Sequence, residues 1–76
     1  MRGQLYRNCH IFAMAQLHTS GWIAAVRVKW LKNGKEQQTD LKLNESLATR
    51  EKAEEHGLAV GRSWVDEQIA EGNVGG

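Results

Sequence analysis

Trp22-Ile23-Ala24-Ala25-Val26-Arg27-Val28-Lys29-Trp30-Leu31, followed at once by Lys32-Asn33-Gly34-Lys35, decides how this chain folds. The ten residues alternate strictly. Trp22, Ala24, Val26, Val28 and Trp30 share one side, and Ile23, Ala25, Arg27, Lys29 and Leu31 share the other. A period of two is the signature of a half-buried strand, and the side without Arg27 and Lys29 belongs to the core. An Asn-Gly pair between strand-like runs is the strongest short-range hairpin signal, because both residues accept positive φ. The chain therefore turns back into a further strand, Glu36–Asn44, with Thr39, Leu41 and Leu43 inward and Asp40 and Lys42 outward.

Upstream, Leu5–Leu17 reads as one more strand, closed by His18-Thr19-Ser20-Gly21 as a turn. Downstream, Thr49 is a good N-cap and Glu51 suits the positive end of a helix dipole. The periodicity predicts a helix from about 50 to 71. Ala53, Gly57, Val60, Gly61, Trp64, Val65 and Ile69 fall on one side, with Glu55, Arg62 and Asp66 opposite. Two glycines inside an apolar helical stripe cost roughly 1 kcal/mol each against alanine. Their reason is close approach of the helix to the sheet, with Trp64 beside them. Residues 72–76, rich in glycine, read as a helix stop and a flexible tail.

The expected architecture is one α+β domain spanning 1–76. It has a three-stranded antiparallel meander with strands at about 5–17, 22–31 and 36–44, and one C-terminal helix packed on one face. Short connections make the order 1-2-3 the default.

A chain of 76 residues has a small core and often relies on a disulfide, a metal or association. The lone Cys9 excludes an intrachain disulfide and suits a reducing, cytoplasmic setting. No run approaches the roughly 18 apolar residues of a membrane helix, and Cys9–Leu17 is too short and too interrupted for a signal peptide. The net charge of +1 hides an asymmetry. Residues 1–48 carry seven basic side chains against three acidic ones, and residues 49–76 carry three against six.

Catalytic and metal-binding readings fail on geometry. Cys9 and His10 are adjacent on a strand and point to opposite faces, so they cannot share an ion, and no C-x-x-C or H-x-x-x-H spacing occurs. His56 and Ser63 lie ~10 Å apart along a helix, beyond hydrogen-bond reach. Gly57-x-x-x-Gly61 lacks the long apolar span in which it pairs helices, so packing on the sheet is preferred. The expectation is a protein without enzymatic activity and without a cofactor.

One mismatch points to association. The Leu5–Leu17 strand is apolar on both faces, whereas a single helix covers only one. Of its two registers, the preferred one turns Cys9, Ile11, Ala13 and Ala15 to the helix and leaves Tyr6, Phe12 and Met14 outward. As an edge strand with an uncovered apolar stripe it is a partner-binding site. A bulge near Asn8–His10 or a tail returning with Val74 is the bland alternative. The leading expectation is an interaction module that homodimerises or joins a complex through Tyr6, Phe12 and Met14. The alternative is nucleic-acid binding by a basic sheet face of Arg27, Lys29 and Lys42, with Arg7 nearby. Trp30, at the strand end, is a further exposed-aromatic candidate, while Trp22 and Trp64 belong to the core.

Tyr6-Arg7, Gly21-Trp22, Thr49-Arg50-Glu51-x-Ala53 and Gly61-Arg62-x-Trp64-Val65-Asp66 together resemble a group of small bacterial proteins of unknown function. That resemblance spans nearly the whole chain and implies a βββα plan with no assigned activity. The element order is also similar to the second half of double-stranded-RNA-binding domains. Their basic cluster at the last helix is not matched, because Glu51, Glu54 and Glu55 offset Arg50 and Lys52. A likeness to antitoxin domains of the HicB type lacks the expected Pro-Asp-x-Pro-Gly segment.

Overall fold

The computed structural model describes residues 1–72 and is α+β, with an antiparallel sheet and one C-terminal helix. The sheet has four strands rather than the expected three. Strands β1 (Arg2–Tyr6), β2 (Cys9–His18), β3 (Gly21–Lys32) and β4 (Lys35–Leu47) run in the order β1-β2-β3-β4, and α1 spans Arg50–Ala70. Beyond Gly72, the tail expected at 72–76 lies outside the described residues, as does Val74.

The extra strand arises because the expected first strand is two. Arg7 and Asn8 take φ of 48° and 66°, the paired positive values of a two-residue hairpin turn, and Tyr6 pairs with Cys9 across it. Asn33 and Gly34 repeat the geometry at 54° and 77°, as their identity predicts. Two consequences correct the sequence reading. β1 is the edge and β2 is interior, so the strand with two apolar faces has neighbours on both sides. Tyr6 also lies on the helix side, where its hydroxyl meets Asp66, and does not face outward with Phe12 and Met14.

The preferred register of β2 holds. Cys9, Ile11 and Ala13 are buried beneath the helix with Ala24, Val26 and Val28 of β3 and Ala53 and Val65 of α1. Leu41, Leu43, Leu58, Trp64 and Ile69 pack around them, and Trp30 meets Trp64 at a ring-centroid distance of 5.5 Å. Trp22 is half-buried instead of core, with the Arg50 guanidinium 5.2 Å from its ring.

Gly57 and Gly61 have the expected role. A methyl group on Gly57 would lie 3.0–3.2 Å from Ala13, Val26 and Ala24, and one on Gly61 would lie 2.5 Å from Ile11 Cγ2. The helix therefore runs over β2 and β3 at a separation no larger residue permits. Thr49 caps its start by accepting from the Lys52 N–H at 3.1 Å, and Gly72, at φ 78°, donates to the Ile69 carbonyl to close its end.

β1 is attached differently. Arg2 reaches Glu55 at 3.4 Å, Gln4 accepts from Arg62 at 2.8 Å, and Tyr6 and Arg7 both donate to Asp66 at 2.9 Å. Arg62 and Asp66, expected to face solvent opposite the apolar stripe, instead fasten the edge strand to the helix. Glu54, only 6% exposed, is held by the Met1 amino group at 3.0 Å and by Arg2 at 3.8 Å.

Candidate functional site: the open sheet face

The face opposite the helix is composed of cross-strand rows set by register. Gly3, Phe12, Arg27 and Asp40 stand in one row, and Leu5, His10, Lys29 and Gln38 in the next. Met14, Ala25 and Lys42 form a third row, and Leu31 with Glu36 extends the sheet toward the Asn33-Gly34 turn. Alternation alone puts these side chains together: they are the outward partners of the core residues along each strand.

Among the described residues no helix or strand covers this face. Met14 is 48% exposed, Leu5 65% and Leu31 68%. Phe12 is half-buried. Its ring lies over Gly3, where an added methyl would be 3.4 Å from Cδ1, and it is flanked by His10 at 5.9 Å and the Lys29 Nζ at 6.0 Å. The edge glycine thus gives the aromatic ring a flat seat. A shallow hollow of about 500 Å³ opens over Ala25, bounded by Phe12, Met14, Arg27, Asp40 and Lys42. A second, of about 580 Å³, lies among Leu5, His10, Lys29, Leu31 and Glu36.

The basic residues of this face are largely spent on neighbours. Arg27 grips Asp40 through two hydrogen bonds, Nε to Oδ1 at 2.8 Å and Nη2 to Oδ2 at 3.2 Å. The Arg27 guanidinium holds the Asp40 carboxyl below its ordinary pKa, and Asp40 in turn raises that of Arg27. Lys29 lies 3.7 Å from Glu36. Lys42 has no ion-pair partner among the described residues. Arg7, the fourth cation considered, is bound to Asp66 on the helix side.

The candidate partner-binding set is therefore divided. Phe12 and Met14 share the open face, whereas Tyr6 belongs to the hairpin latch. Arg27, Lys29 and Lys42 do share the open face, but with Asp40 and Glu36 among them. The sequence reading missed Leu5 and Leu31 as members, although the alternation of β3 already placed Leu31 outward. Leu5 was hidden by the unrecognised turn.

Other polar groups are dispersed. Cys9 is buried on the helix side, which pushes its thiol pKa up, and His10 is exposed on the opposite face. His56 Nε2 lies 3.2 Å from Glu45, and Ser63 is exposed on the helix. Among the described residues no group of three His, Cys, Asp or Glu side chains converges on a metal-sized site. No helix of the described residues is long and apolar enough to cross a membrane. No family model, no curated protein and no solved structure matches this chain.

Proposed function

We propose that this chain is a non-enzymatic interaction module whose open sheet face packs against the same face of a second copy. The observation that carries the reading is the uncovered apolar group of Leu5, Phe12, Met14, Ala25 and Leu31 on the face α1 leaves free. Exposed apolar side chains gathered on one face in this way mark an association site.

Charge and size support a second copy as the occupant. The face carries both signs, Arg27, Lys29 and Lys42 with Glu36 and Asp40, and a mixed-sign face can complement itself under a two-fold axis where a single-signed one repels. The two longer extents, 42 and 19 Å, bound a face of roughly 800 Å², the size of one side of a standard interface.

Sedimentation velocity tests this directly. Wild type should sediment as an oligomer, and Met14→Glu should weaken association roughly 100-fold by placing a carboxylate at the centre of the face. A wild-type chain that stays monomeric at every accessible concentration would remove the reading.

A second reading rests on Phe12 and Lys29 together, an aromatic ring with a cation 6.0 Å from its centroid, on the same face as Lys42, which has no ion-pair partner among the described residues. Such a pair can stack a base and contact phosphate. It predicts retention of single-stranded oligonucleotides that falls with added salt and with Lys29→Glu. Absence of retention at low salt eliminates it.

A further inference from the structure

β4 is an edge strand of 13 residues. No proline interrupts it, and α1, seated over β2 and β3, leaves its first eight residues largely exposed. The two-residue Asn33-Gly34 turn makes Lys32 and Lys35 a hydrogen-bonded pair. Alternation then directs the backbone groups of Lys35, Gln37, Thr39 and Leu41 to β3. Those of Glu36, Gln38, Asp40 and Lys42 point away from the sheet. The regular run ends there, because residues 43–45 of β4 answer the single residue Ala24 of β3 in a bulge.

We propose that β4 pairs with β4 of a second copy, antiparallel, about a two-fold axis at Thr39, joining two four-stranded sheets into one of eight strands. In that register Glu36 stands opposite Lys42 of the second copy, twice over by symmetry, and Gln38 stands opposite Asp40. Lys42, which has no ion-pair partner among the described residues, gains one, and all four outward residues of each copy enter the ladder. Both helices remain on the same side of the extended sheet.

Charge selects this register over its neighbours. An axis at Gln38 sets Glu36 against Asp40, and an axis at Asp40 sets that carboxylate against its own copy; like charges directly opposite are destabilising. An axis at Leu41 draws the bulge of residues 43–45 into the ladder.

This edge contact is independent of the open-face contact, and the test separates them. Sedimentation equilibrium is run in a Met14→Glu background, which removes the face contact. That background should be a dimer. Lys42→Glu and Glu36→Lys should each weaken the dimer roughly ten-fold, by turning two attractive pairs into repulsive ones. The double exchange should restore it. Amide exchange at Gln38 and Asp40 should slow as concentration rises. A monomeric background, or a double exchange no tighter than the single ones, overturns the proposal.

Discussion

Gly61 is where one hydrogen atom decides the packing of the molecule. A Cβ there would sit 2.5 Å from Ile11 Cγ2 and 3.4 Å from Val26 Cγ1. Gly61→Ala gains up to ~1 kcal/mol of helix propensity and loses more to overpacking, which costs ~1–3 kcal/mol when the backbone must yield. The expected net is destabilisation of up to about 2 kcal/mol in urea unfolding, and a stabilised variant would show that the helix can lift without penalty. Asp66 acts through charge instead. Arg7 first, and Tyr6 next, hold its carboxyl below the ordinary value of 3.8. A depressed folded-state pKa contributes stability above the unfolded value and loses it as pH falls through the folded one. Stability should therefore drop below about pH 4, part of that drop belonging to Asp40, and Asp66→Asn should shallow the acid limb of a pH–stability profile. Tyr6 has the opposite sign: its raised pKa contributes below 10.0 and is lost as pH rises through the folded value.

The β1–β2 hairpin differs from the rest of the sheet in what holds it. β2 and β3 are fastened to α1 by buried aliphatic groups, whereas β1 is held by Arg2–Glu55, Gln4–Arg62, Tyr6–Asp66 and Arg7–Asp66. Apart from the part-buried Gln4–Arg62 bond and the packing of the Tyr6 ring, these are exposed polar contacts, which contribute little each and are screened by salt. β1 is thus the element expected to open first, as low-stability units do in native-state exchange. The amides of Gln4 and Tyr6 should exchange faster than that of Val28, and Asp66→Asn should accelerate the former pair alone. Uniform acceleration across the sheet would contradict this. The same contacts explain why the hairpin escaped sequence reading. Arg7-Asn8 is not a favoured turn pair, and the Arg7 side chain that secures it reaches a helix residue nearly sixty positions away. Asn33-Gly34, by contrast, carries its turn in its own chemistry.

For the whole molecule, a sheet covered on one face and open on the other makes stability depend on concentration if a second copy binds only the folded chain. The melting temperature should rise with protein concentration, and that slope should become shallower in Met14→Glu and flatten only when Lys42→Glu is added to it; a concentration-independent midpoint argues against association. The helix, its cap at Thr49, the strand alternation from Trp22 to Leu31 and the odd register of β2 were all legible in the sequence. Each follows from periodicity or from the chemistry of one residue, both of which act locally. The close helix–sheet approach was legible too, since glycines within an apolar stripe have few other purposes. Three features needed the tertiary structure: the fourth strand, the inward placement of Tyr6, and the pairing of Arg27 with Asp40. The last requires the β3–β4 register, which brings together residues 13 apart. The first two involve Asp66, whose carboxylate bonds Tyr6 and Arg7 from 60 and 59 positions away on the helix. A turn stabilised from across the molecule leaves no signal in its own residues, so local pattern described the core and only the assembled fold placed its edge.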